Sequence, residues 1–444
     1  MDARRIEDDR SLLLNRQRHR LIVPGILLGL LTGMASVGFH LSLDYGEALR
    51  TRVINFAHQQ PTDGPWITMG FALAAVFLSA GLAILFSPEA SGSGIPHLKA
   101  VLMGRRPFRW LRVLVIKFIS TVVASSGGLM VGRGGPNVHM GGAIGQGITN
   151  LWPDTIIKDR SVMVAAGGGA GLTAAFNSPL AGLMFTLEEL DSRCTPFEFF
   201  AAAIACLTTD MVCRVMLGQS PAFHIAITEA PPLNLLMAFL PLGIVSGILG
   251  CLFNKTLLAA QKLVRLASWK RMAWWILLAA MVAAVNWFIP ALSGGGQGFV
   301  NSIFEGNILN LNTAAVFFII RFIVTIGSSS SSASGGIFMP VLVLGALLGL
   351  GVGSVLQLLF PGLDIDPKLF AVAGMASYFT GVVQAPLTGI VLLIEMTGNY
   401  TVILPLFVAC FTAQLVADLL GVVPIYDALT ENDLRLNSIE KNNL

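Results

Sequence analysis

Charge is scarce in this sequence: 12% of its 444 residues are Asp, Glu, Lys or Arg, against 54% that are hydrophobic. Soluble domains carry about a quarter charged residues, so a soluble class is excluded and an integral membrane protein is expected. Polar linkers are missing too. The length would allow about three soluble domains, but nothing divides the chain, and it reads as one membrane domain. The net charge of +3 is small and scattered, which excludes a nucleic-acid-binding surface. Cysteine is rare. The five residues, Cys194, Cys206, Cys213, Cys251 and Cys410, lack paired metal-ligand spacing and lie in or near apolar runs, as small buried hydrophobes do. No signal peptide opens the chain, because the first residues form a charged arm. Nor do the apolar runs hold a nucleophile–base pair or a metal set. The chain is therefore expected to be no enzyme and to need no metal or cofactor.

What is present is a succession of apolar runs. Residues 1–20 form a polar arm ending in Arg16, Arg18, His19 and Arg20, directly before a run from Leu21 to about Leu43. Basic residues beside a span mark the cytoplasmic side. Arg105, Arg106, Arg109, Arg112 and Lys117 mark a second cytoplasmic connection, and Lys255, Lys262, Arg265, Lys270 and Arg271 a third. The segments 218–232 and 293–312 have no Lys or Arg and are expected outside. The segment 431–444 is a short cytoplasmic tail, with no room for soluble regulatory (CBS) domains. Both termini are then cytoplasmic, with a bacterial inner (plasma) membrane as the expected location.

The two halves resemble each other. Asn177-Ser178-Pro179-Leu180-Ala181-Gly182 with Leu187-Glu188 matches Gln384-Ala385-Pro386-Leu387-Thr388-Gly389 with Ile394-Glu395, at a constant offset of 207 residues (386 − 179 and 395 − 188). Upstream, Pro136, Gly141 and Gly145 match Pro340, Gly345 and Gly349 at an offset of 204 (340 − 136). A duplication is expected, with repeats over roughly 21–220 and 230–430. Glu188 and Glu395 match across it and are expected to bond backbone N–H groups.

Corresponding breaks in two repeated halves point to a substrate site. Here they are Gly132-Arg133-Gly134-Gly135-Pro136 and Gly335–Pro340. Irregular backbone at membrane depth survives only where protein buries it or it lines a cavity. Its free N–H groups, at a helix start carrying roughly +0.5 charge, attract anions. Passage needs weak binding, which uncharged donors provide. Ser93 in a Gly-rich break and the phenol of Tyr426 add hydroxyls to that set.

At these residues the chain resembles the CLC family of chloride channels and chloride/proton exchangers. The family's GSGIP stands as Gly92-Ser93-Gly94-Ile95-Pro96, its GREGP as Gly132-Arg133-Gly134-Gly135-Pro136, its GxFxP as Gly336-Ile337-Phe338-Met339-Pro340, and its late tyrosine as Tyr426. The likeness covers roughly residues 20–430. It implies an all-α polytopic membrane protein of CLC fold: two inverted-topology repeats of tilted and broken helices, in a homodimer with one pore per subunit. It also implies a central chloride held by Ser93, Tyr426 and the N–H groups of Ile337 and Phe338. An outer site would be formed by the N–H groups around Gly132, Arg133, Gly134 and Gly135.

Three departures carry expectations. The glutamate that gates the family's path and passes its proton is replaced by Gly134, which has no side chain to plug the path. Passive chloride transport uncoupled from protons is therefore expected, the alternative being a coupled antiporter with another proton carrier, such as His139. Glu189 matches the family's internal proton-transfer glutamate and is retained. Acidic residues often follow GSGIP, but here His97 and Lys99 do; Lys99 reads as a surface lysine at the cytoplasmic mouth. The serines at 328–332 read as hydroxyls near the inner mouth or as a helix cap.

Overall fold

The computed structural model describes residues 2–151, 160–190, 195–223, 225, 231–265, 268–306, 309–362 and 365–442. Cys194, the side chains of the arm 1–20 and residues 226–230 of the external loop lie outside what is described. The described residues form 17 α-helices, with isolated bridges in place of strands. Seven helices are long and apolar enough to cross a membrane, among them Gly64–Phe86, Pro196–Leu217 and Phe338–Leu359. The helix that holds the first apolar run continues past Leu43, through the polar residues Asp44, Glu47, Arg50 and Arg52, to His58. The sequence reads as one apolar run over 369–395, but the structure breaks it: one helix ends at Val383, Gln384 takes a left-handed conformation (φ 64°), and Pro386 opens the next. Asn177 (φ 53°) makes the same break before Pro179 in the first half.

Internal duplication is visible in the packing. In the first half, helix Gly134–Leu151 lies against Arg160–Phe176, and in the second, Phe338–Leu359 lies against Pro367–Val383. Both crossings bring backbone onto backbone. A Cβ at Gly141 would collide with the carbonyl of Gly167, and one at Gly345 with that of Gly374. Glycine is required there because in lipid helix association rests on close packing rather than on a hydrophobic gain.

A second contact joins the halves. Glu395 accepts from the N–H groups of Leu180 (3.1 Å) and Ala181 (2.8 Å) at the start of helix Pro179–Phe185. Glu188 accepts reciprocally from Leu387 (3.0 Å) and Thr388 (2.6 Å) at the start of helix Pro386–Thr397. A carboxylate at a helix start satisfies N–H groups that have no partner within the helix. An exchange in which each half gives the other the same contact is the signature of a two-fold relation. The fold is thus two inverted-topology repeats of tilted and broken helices.

Candidate anion site

Three breaks in the helices meet at one place. The N–H of Gly132 donates to the carbonyl of Gly336 (2.6 Å), and the N–H of Gly336 to that of Gly132 (2.8 Å). The N–H of Gly92 donates to Ala333 (3.1 Å), and that of Gly335 to Gly92 (2.9 Å). These few bonds tie the segments of Ser93, Gly134 and Ile337 into one knot. Glycine is needed at position 135, where a Cβ would strike the hydroxyl of Ser93 and come within 3.2 Å of Gly336. Helix Gly134–Leu151 and helix Phe338–Leu359 both start at the knot. Among the described residues, the N–H groups of Gly134, Gly135, Ile337 and Phe338 have no partner in the protein.

Two hydroxyls share that place. Ser93 is 8% exposed and Tyr426 fully buried, and the Tyr426 hydroxyl lies beside that of Ser93. Apart from their approach to each other, neither has a hydrogen-bond partner among the described residues. A buried hydroxyl without a partner costs free energy, so a pair of them beside free N–H groups marks where an acceptor belongs. Every group in the set donates and none carries charge, as weak anion binding requires.

Two buried cations fix the break and its counterpart. Lys117 donates to the carbonyls of Ala90 (3.0 Å) and Gly92 (2.6 Å). Arg321 donates to Leu292 (2.7 Å) and Gly294 (3.2 Å). Gly94 and Gly296 both cap the following helix in a left-handed conformation at φ 86°. Lys117 is thus not part of a surface connection: it stands inside helix Trp110–Ser126, fully buried. Arg321 was not singled out from the sequence. Its signal was there, a lone arginine inside an apolar run, and such residues are functional by default.

Cavities approach the knot from two directions. One is lined by Glu89, Ser93, His97, Ser329, Ser330 and Asp433, so the serine run reaches a cavity shared with Ser93. The other, of about 410 Å³, is lined by His40, Asp44, Glu47, Arg133, Phe176 and Gln297. At Gly134 the packing is close. A Cβ at that position would meet the Phe176 ring at 3.0 and 3.1 Å and Phe338 Cβ at 3.2 Å. The two rings pack with centroids 5.2 Å apart, so aromatic side chains occupy the space beside the missing carboxylate.

The remaining candidates lie on the Ser93 side. His139 is fully buried, 3.0 Å from His97, and its ring stacks on Phe108; it does not line the cavity beyond Gly134. Glu189 is buried, 2.7 Å from Lys99. Lys99, expected at the surface, is itself buried.

Broken helices, a two-fold repeat and a knot of uncharged donors at the breaks define a polytopic membrane transport protein. The family model for voltage gated chloride channels matches residues 71–418, and the chain belongs to that family. It is 35% identical over 437 residues to the H(+)/Cl(-) exchange transporter ClcA of Vibrio parahaemolyticus, covering 96% of this chain and 92% of that protein. To the protein of the same name from Vibrio cholerae it is 36% identical over 432 residues, covering 94% and 91%. Among solved structures, a slow cyanobacterial Cl-/H+ antiporter superposes with a TM-score of 0.89 at 33% identity, covering 94% of this chain and 98% of that one. These relatives overturn the expectation of an uncoupled, channel-like path, since those similar along nearly their whole length are exchangers. The structure also removes the premise drawn from Gly134. Losing the carboxylate does not leave a hole, because Phe176 and Phe338 close over the position.

Proposed function

We propose that the chain exchanges chloride for protons across a bacterial inner membrane, as a homodimer with one pore per subunit and both termini cytoplasmic. The observation that carries the reading is the pair of unpartnered, buried hydroxyls of Ser93 and Tyr426 beside a helix start. A bare anion in hydrocarbon costs tens of kcal/mol by Born estimates, and these donors replace its water without trapping it. The central chloride takes the Ser93 and Tyr426 hydroxyls and the N–H groups of Ile337 and Phe338. The next site along the path uses the N–H groups of Arg133, Gly134 and Gly135; that of Gly132, expected in the same set, is spent on the carbonyl of Gly336. The names of the relatives, exchangers of chloride and protons, support the coupled reading.

The proton needs carriers at both ends. Glu189 takes it on the cytoplasmic side. With no carboxylate at position 134, the outer carriers are Asp44 and Glu47, which share a cavity with Arg133 and Phe176. His139 lines no part of that cavity and is not the carrier. In liposomes, an imposed pH gradient drives chloride uptake against its own gradient. Chloride that follows only its own gradient, indifferent to pH, contradicts this reading. Asp44→Asn combined with Glu47→Gln lowers the number of protons moved per chloride, while chloride binding measured by calorimetry is unchanged.

A further inference from the structure

Lys99 bridges two carboxylates. Its Nζ lies 2.7 Å from Glu189 Oε1 and 2.5 Å from Asp427 Oδ1. The side chains of Lys99 and Glu189 are 8% and 5% exposed, whereas that of Asp427 is 41% exposed. Asp427 follows Tyr426 directly, in the first turn of helix Ile425–Asn442, where a negative charge is favoured.

A buried ion pair is costly to break by neutralising one partner, because the other charge is left without compensation. Were Glu189 the only partner of Lys99, each proton taken up by Glu189 would strand a buried ammonium. Asp427 removes that obstacle. We propose that Lys99 is a positioning residue shared between the two carboxylates, and that Asp427 is the counter-charge that lets Glu189 accept and release a proton. This rests on the exchange reading and adds to it a charge-compensating group on the tail helix.

The step balances. A proton leaves water on the Asp427 side and forms an O–H bond on Glu189, and Lys99 stays an ammonium throughout. The three side chains go from one net negative charge to none. Lys99 keeps a carboxylate in either state, and the carboxylate it keeps while Glu189 is neutral is the more exposed one.

Neighbouring charged and titratable groups are engaged elsewhere. Glu188 accepts from Leu387 and Thr388. Arg106 pairs with Asp433 at 3.0 Å. His97 and His139 hold each other, and Lys117 is held by carbonyls. None of these contacts compensates Lys99.

Two readouts on purified full-length protein test the proposal. The first is the proton-to-chloride ratio in liposomes, where Asp427→Asn lowers the ratio at least threefold with chloride affinity unchanged. The second is independent of transport. An infrared carboxylic-acid band that vanishes in Glu189→Gln reports the protonation of Glu189. Without Asp427, the full charge of Lys99 falls on Glu189 and favours its ionised form, so the pH of half-intensity drops by about one unit. Lys99→Met moves it the other way; should that variant not fold, Asp427→Asn decides alone. A band midpoint that does not move in Asp427→Asn overturns the proposal. If the unaltered protein moves no protons while the midpoint does shift, the exchange reading fails and the shared counter-charge stands.

Discussion

Ser93 and Tyr426 come from positions far apart in the chain, and, apart from each other, their hydroxyls have no partner among the described residues. A hydrogen bond to a charged group contributes about 1.5–3 kcal/mol. Ser93→Ala and Tyr426→Phe are therefore each expected to weaken chloride binding by about tenfold or more in calorimetry. Unchanged affinity in both variants would remove these side chains from the site. The residues around them were unequally legible in the sequence. Gly92–Pro96 and Gly132–Pro136 stood out because glycine and proline have few other reasons to cluster inside apolar runs. Lys117 was misread, because it follows Arg105, Arg106, Arg109 and Arg112 and looks like the end of a basic loop. It stands about two turns inside its helix, turned toward carbonyls. Lys99 was misread for the opposite reason: its partners, Glu189 and Asp427, lie on remote segments, and no local pattern announces them.

At the scale of helices, close crossings and reciprocal caps hold the site. The pairs Gly141–Gly167 and Gly345–Gly374 allow backbones to touch. Gly345→Val inserts side-chain atoms into a contact with no space, at a cost of about 1–3 kcal/mol. Thermal unfolding in detergent is expected to move down accordingly. Gly70→Ala, where nothing lies within 4 Å of an added Cβ, is expected to leave the transition where it is. Glu395→Gln keeps the shape but loses the charge that caps helix Pro179–Phe185, and is expected to cost about 1.5–3 kcal/mol. Glu188→Gln does the same at the other half. That Glu188 and Glu395 bond backbone N–H groups was legible from their offset, but that each caps a helix of the other half was not, because the partners lie about 200 residues away. The breaks at Asn177 and Gln384 were not foreseen. Their left-handed conformations are taken by residues other than glycine, and each lies within a stretch whose apolar content continues past it.

For the whole molecule, the inverted repeat explains why the site lies where it does. Two half-chains, each with a broken helix, bring their breaks together, and the donors that neither half could assemble alone face one another. The fold could be read in advance because the motifs of both halves are written locally. What fills position 134 could not, because it comes from side chains on other helices. A glycine there suggested an empty doorway, while Phe176 and Phe338 arrive from other helices to fill it. Gly134→Glu would have to displace those rings, and it is expected to lower thermal stability as well as slow chloride flux.

The most direct measurement is an anomalous-diffraction map from crystals of the protein grown or soaked in bromide. The account predicts a peak within hydrogen-bond reach of the Ser93 and Tyr426 hydroxyls and the N–H groups of Ile337 and Phe338. That peak should be lost in the Ser93→Ala, Tyr426→Phe double variant. A map of the unaltered protein with bromide elsewhere and none between these donors would contradict it.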